Sequence, residues 1–176
     1  MGGPSLEELQ WLEGPGSFLR QTPNPPSSGQ PKGRFAPFGL PLMSNDGRPL
    51  TRIEAWRQLA MFAGHWVLRG YGLWAVEERV SGEFLGRIGC LNPEGFPAFE
   101  IAYTLGQWAW GKGYAREGAA AALRYARETL GRTEITSIIR PANAASIRVA
   151  SSLGAVAGES VEFFGAPSVI YRYQRL

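Results

Sequence analysis

Cysteine and histidine each occur once in this chain, as Cys90 and His65. A single cysteine excludes an internal disulfide and a cysteine-rich zinc site. A single histidine excludes paired-histidine metal motifs, so no metal cofactor is expected. No apolar run approaches the roughly 18 residues that a spanning helix needs, so no membrane segment is expected. No charged n-region followed by an apolar stretch opens the chain, so a cytoplasmic protein is expected. Charge is also sparse: 18 basic against 15 acidic residues give a formal +3, and only 19% of residues are charged. The basic residues are mostly Arg and are spread along the chain, with no run of five. A nucleic-acid-binding arm is therefore not expected.

What is present suits one folded domain: 176 residues, 44% of them hydrophobic. Proline and glycine divide the chain unevenly. The first 50 residues hold 9 of the 13 Pro and 8 of the 23 Gly. Residues 21–33 read as linker, because proline removes donors and no apolar period is visible. Ser5 as N-cap with Glu8 at N3 suggests one short helix over residues 5–13. Phe35, Phe38, Leu40 and Leu42 are broken by prolines and suggest at best an extended edge segment. The expected organisation is an irregular segment over 1–43 and a folded domain over 44–176.

Periodicity predicts the rest. Thr51-x-x-Glu54 is a capping box. Ile53, Trp56, Leu59/Ala60, Ala63 and Val67 follow at helical spacing, predicting an amphipathic helix over 52–68 ended by Gly70. Strands are predicted over 72–79, 83–91 and 98–105. In the third, Phe99, Ile101, Tyr103 and Leu105 alternate with Glu100, Ala102 and Thr104. An Ala-rich helix runs from about Tyr114 to Leu130. A strand over 134–140, a helix from Asn143 to Leu153, and strands over 155–164 and 168–174 joined at Gly165-Ala166-Pro167 complete the order.

The most informative stretch is the turn Trp110-Gly111-Lys112-Gly113-Tyr114-Ala115 between strand and helix. Glycines allow a tight turn that aims amide N–H groups at one point, the helix N-terminus adds partial positive charge, and Lys112 adds a full one. Such a turn suits a phosphate or pyrophosphate; it also serves as a plain strand-to-helix connection. A P-loop is absent, and Arg116 stands where a dinucleotide fingerprint requires Gly or Ala.

The stretches FEIAYTLGQWAWGKGYAREGAAAALRYA and IIRPANAASIRVASSLGA resemble the GNAT superfamily of acyl-CoA-dependent N-acyltransferases. The similarity is nearest to the branch of ribosomal-protein N-terminal acetyltransferases and spans about residues 44–174. It implies a mixed α/β fold with a twisted sheet, split between the parallel strands 98–105 and 134–140 and flanked by helices. It implies that the backbone of Trp110, Gly111, Lys112, Gly113, Tyr114 and Ala115 cradles the pyrophosphate of acetyl-CoA. Tyr103, Thr104 and Leu105 would hold the pantetheine and thioester, and Asn143 would bind near the thiol. Asn143 is equally a simple N-cap. Ser146, by resemblance, assists departure of the CoA thiolate.

Glu100 is the candidate base, since an amine acceptor is largely protonated at neutral pH and attack requires loss of that proton. Its other reading is a solvated strand residue. His65 and Trp66 either line the acceptor pocket or pack as satisfied side chains. Cys90 reads as core, and Arg132, Arg140 and Arg148 as surface charges or contacts to the CoA 3′-phosphate. The expected activity is direct acetyl transfer to a primary amine, a protein N-terminus or a small molecule, in a ternary complex. The expected protein is a monomer or homodimer that binds no nucleic acid. The family's usual first strand and helix are not legible in residues 14–42. Their absence motivates an alternative, a non-catalytic acyl-CoA-binding member.

Overall fold

The computed structural model describes residues 12–13, 17–21 and 50–174. Among the described residues, eight strands form one sheet: β1 (Leu12–Glu13), β2 (Ser17–Gln21), β3 (Leu73–Glu78), β4 (Phe84–Leu91), β5 (Glu100–Leu105), β6 (Thr136–Ile139), β7 (Ala155–Phe163) and β8 (Ala166–Tyr173). Their spatial order is β1-β2-β3-β4-β5-β6-β8-β7. Three α-helices among the described residues accompany them: α1 (Arg52–Arg69), α2 (Tyr114–Glu128) and α3 (Ala144–Ser152). Neighbouring strands run antiparallel except β5 and β6, which are parallel, so the sheet is mixed as expected.

Each predicted element after residue 50 forms, with ends displaced by two residues or fewer. The causes are local. Thr51 and Glu54 close the capping box reciprocally, at 3.3 and 2.8 Å. Gly70 adopts the left-handed φ of 74° and returns its N–H to Trp66 O. The β7–β8 turn falls at Phe164-Gly165, so Ala166 and Pro167 lie in β8 rather than in the turn expected there.

Two expectations for the N-terminal segment need correction. Ser17–Gln21 is a strand, pairing along its whole length with β3. Leu12–Glu13 is also strand, where a helix was expected. Prolines and glycines flank these short pieces closely, so a window of sequence shows no period although main-chain pairing to β3 is available. The rest of the helix expected over 5–13, the linker expected over 21–33 beyond Gln21, and the Phe35–Leu42 segment lie outside the described residues.

The core lies between the sheet and α2. Trp74, Val76, Ile88, Cys90 and Ile101 are at most 2% exposed. Ala119, Ala122 and Ala126 are fully buried, which brings α2 close to the strands. At Gly118 an added Cβ would stand 2.4 Å from Ile88 Cδ1, so the helix rests directly on β4. Fully burying an Ile or Val side chain contributes about 1.5–3 kcal/mol. These residues therefore fix where the ends of β5 and α2 fall.

α1 forms as predicted but faces the other way. Its expected apolar stripe is outward: Ile53 is 66% and Val67 85% exposed. The covered side carries Gln58, Leu59, Phe62, His65 and Trp66. Polar atoms made this face hard to recognise. His65 is 4% exposed and uses both ring nitrogens. The Asn92 N–H donates to Nε2 at 3.0 Å, which obliges Nδ1 to carry the hydrogen given to Tyr71 O at 2.7 Å. Trp66 donates to Leu73 O at 3.0 Å. Both act as packed, satisfied side chains that tie α1 to the sheet.

Candidate active site

The parallel pair β5–β6 holds at a single register position, Glu100 with Thr136. Thr136 N donates to Phe99 O at 3.0 Å, and Ser137 Oγ donates to Ile101 O at 2.6 Å. Odd-numbered residues of β5 thus turn their main-chain groups toward β6. Beyond Ile101 the ladder stops, and the amides of Tyr103 and Leu105 open into a split. Tyr103 spans it, donating its hydroxyl to Ser146 O at 3.0 Å.

Glu100 sits where the strands part. It is 8% exposed, so the solvated reading does not hold. The Ile138 N–H, which the next rung of the ladder would have used, lies by the Glu100 carboxyl and favours its charged form. Burial nevertheless dominates, and pushes the carboxyl up from 4.5 to about 7. Glu100 is thereby poised near neutrality, as a general base should be.

Two cavities meet at the split and share Tyr103, Thr104, Asn143 and Ser146. One, of about 360 Å³, is lined by Glu100, Arg87, Ser137, Arg140, Phe163 and Phe164 among others. The other, of about 560 Å³, contains Leu105, Trp110, Gly111, Gly113, Ala115, Arg116 and Arg148. Its floor is the opening of α2. Gly111 and Gly113 take φ values of 73° and 89°, where other L residues are strained. Gly113 supplies no side-chain cap, and the first intrahelical bond from the turn is Glu117 N to Gly113 O. The preceding amides remain as donors on a 15-residue helix, an arrangement suited to phosphate. Arg116 and Arg148 add two cations to this wall.

Asn143 caps α3, accepting from Ser146 N at 3.1 Å through Oδ1; its amide remains a donor beside both cavities. Trp110 donates Nε1 to Leu105 O at 2.9 Å, locking the glycine turn to the end of β5. The Tyr114 hydroxyl donates to Glu78 at 2.7 Å, and neither Tyr114 nor Lys112 is among the residues lining the cavity.

The fold has known counterparts. An acetyltransferase (GNAT) domain family matches residues 34–156. The chain belongs to the GNAT acetyltransferase family. An uncharacterised Bacillus subtilis (strain 168) protein, YkkB, is 36% identical over 107 residues, and the match spans 58% of this chain and 62% of that relative's length. The acetyltransferase from Agrobacterium tumefaciens str. C58 superposes with a TM-score of 0.76 at 24% identity, covering 94% of both chains. The structure of yncA from Salmonella typhimurium with its cofactor acetyl-CoA superposes at 0.58 with 23% identity, covering 72% of this chain and 75% of that one. Within this GNAT fold, Glu100, Tyr103, Thr104, Leu105, Trp110, Gly111, Gly113, Ala115, Asn143 and Ser146 converge on the joined cavities.

Cys90 is fully buried against Ala122, and burial pushes its thiol up to about 12, so it is core and no nucleophile. Arg132 stacks over Phe99 and Tyr71 at 5.0 and 5.6 Å, away from both cavities. The sequence reading missed Arg116, Arg87 and the Phe163–Phe164 edge. Arg116 was legible as the residue after Ala115 in the first turn of α2; the others depend on tertiary contacts. Among the described residues no helix is long and apolar enough to cross a membrane, and no cluster of candidate metal ligands occurs.

Proposed function

We propose that this GNAT protein transfers the acetyl group of acetyl-CoA to a primary amine. The carrying observation is the junction of two chemically different cavities at the sheet split, with the buried Glu100 carboxyl between strands and free amides opposite. The larger cavity fits a CoA thioester: uncapped helix amides and two arginines face a pyrophosphate, and main-chain donors at Tyr103 and Leu105 face an amide-rich chain. Lys112 and Tyr114 contribute through their backbone positions in that turn. Acetyl-CoA is the cosubstrate, and no metal takes part in this reading.

The amine nitrogen attacks the thioester carbon, and its proton passes to Glu100 directly or through water. The carbonyl oxygen accepts from the backbone amide near Leu105 as negative charge develops. The carbon–sulfur bond then breaks, and the thiolate receives a proton from Ser146 or from a water it holds. No covalent enzyme intermediate is required, so both substrates bind together. The similarity to ribosomal-protein N-terminal acetyltransferases supports an amine acceptor.

The non-catalytic alternative depends on the sheet lacking the strand at its first edge. Ser17–Gln21 occupies that edge, and Glu100 remains tuned for proton transfer, so catalysis is the better reading. Isothermal titration with CoA, paired with free-thiol release from acetyl-CoA on a panel of amines, tests it. Binding with amine-dependent thiol release is expected. Binding without release from any amine would return the non-catalytic reading.

A further inference from the structure

We propose that the 360 Å³ side of the cleft selects a small amine that also carries an anionic group, and that Arg87 reads that group. The inference deepens, and rests on, the amine-acetylation reading. Arg87 lies in the middle of β4, between Gly86 and the buried Ile88, opposite Thr104 of β5. Ile88 points into the core under α2. By strand alternation Arg87 points to the opposite face, toward α1 and the cleft. Its guanidinium lies 4.9 Å over the Phe62 ring and donates to Gln58 Oε1 at 3.5 Å, a long bond.

Among the described residues its five donors therefore have one weak acceptor. Among the described residues no carboxylate pairs with Arg87. Burial alone lowers it to about 10, which leaves it cationic at neutral pH. Glu100 lines the same cavity, but no ion pair joins it to Arg87. A half-buried cation with no carboxylate partner among the described residues is costly, and a planar fork on an aromatic shelf is well formed to receive a carboxylate or phosphate.

The rest of the wall agrees. Arg140 supplies a second cation, and Glu100 is the single carboxylate among the lining residues described. A polycationic acceptor would meet two guanidiniums and one acid. An amine bearing an anionic group would place its nitrogen at Glu100 and its anion at Arg87. Phe163 and Phe164, packed with Phe96 at 4.9 and 5.7 Å, offer an aromatic edge to an apolar body. The cavity is of small-molecule size.

Matched probes test this by acetyl transfer and by calorimetric binding to the CoA-saturated protein. L-phenylalanine is compared with L-phenylalaninamide and phenethylamine, O-phosphoethanolamine with ethanolamine, and spermidine serves as polycation. The anionic member of at least one pair should be preferred by about 30-fold, and which pair responds tells carboxylate from phosphate. In R87Q that preference should collapse to within about 3-fold, while CoA affinity is kept. R87K retains the charge but not the fork, and should keep an intermediate preference; it carries the test if R87Q is unstable. Equal or better use of neutral amines or spermidine by the wild type overturns the proposal. So does a preference that survives in R87Q. Anion-selective binding without transfer to any amine would strike the acetylation reading instead and leave the anion site standing.

Discussion

The two cavities that meet at the sheet split are built from different parts of the chain. The larger uses main chain: the amides opening α2 and those of Tyr103 and Leu105, with Arg116 and Arg148 as accessories. The smaller uses side chains: Glu100, Arg87, Arg140, Phe163 and Phe164. A surface made of main chain depends on φ angles and helix position, and tolerates side-chain change. One made of side chains changes its ligand with each substitution. Different acceptors can therefore be served beside one unchanged cosubstrate site.

Substitutions that strike only one cavity sharpen the contrast. The largest effect is expected from Glu100→Gln, which should reduce amine-dependent turnover at neutral pH by about 10²–10⁴-fold with CoA affinity unaltered. In the wild type the rate should rise with pH through about 7, as Glu100 loses its proton. That rise should vanish in the variant; a retained inflection in the pH–rate profile would assign the base elsewhere. Stability carries the opposite sign. The raised carboxyl favours the folded state below 4.5, and that advantage is lost as pH rises through about 7. The shift corresponds to about 3 kcal/mol. Melting curves across this range should show the wild type losing stability relative to Glu100→Gln as pH increases.

Gly113→Val comes next. A β-branched residue at φ 89° is strained and would displace the first amides of α2. CoA affinity should fall by about 100-fold, roughly 2.7 kcal/mol, as read by calorimetry. Unchanged affinity would break the placement of the cosubstrate. A smaller effect is expected from the double change of Arg116 and Arg148 to Ala: about 10-fold weaker CoA binding, more evident at low salt, with acceptor KM held. Gly118→Ala should be the mildest. Overpacking against Ile88 costs about 1–3 kcal/mol, and the better helix propensity of Ala returns up to about 1. A melting temperature lowered by a few degrees, with both cavities functional, is the expected outcome.

The sequence showed the main-chain cavity well and the side-chain cavity poorly. A glycine turn opening a helix, an alternating strand and an Asn N-cap are local devices, so Gly111, Gly113, Tyr103 and Asn143 could be placed from their neighbours. Glu100 was visible as the acid on that strand, but its burial was not, because burial comes from β6 and its Ile138 amide. Nothing local in the sequence marks Arg87; α1, packed over it through Phe62 and Gln58, half-buries it. α1 itself was read with the wrong face inward, since Gln58 and His65 occupy the covered side while Ile53, Trp56 and Val67 do not. β2 escaped notice because five residues between Pro/Gly-rich stretches carry little pattern. In each case the missing information lay in a partner distant in sequence.

The parting of β5 from β6 has a practical consequence for how this protein can be interrogated. Atoms exposed by the parting beyond Ile101 belong to peptide groups, which every residue possesses. Replacing a side chain there, as in Leu105→Ala, would leave them in place and report little about them. Replacing single amides by esters through chemical ligation would remove one N–H at a time. The recognition surface would then be read in the one alphabet in which it is written, the repeating unit of the polymer.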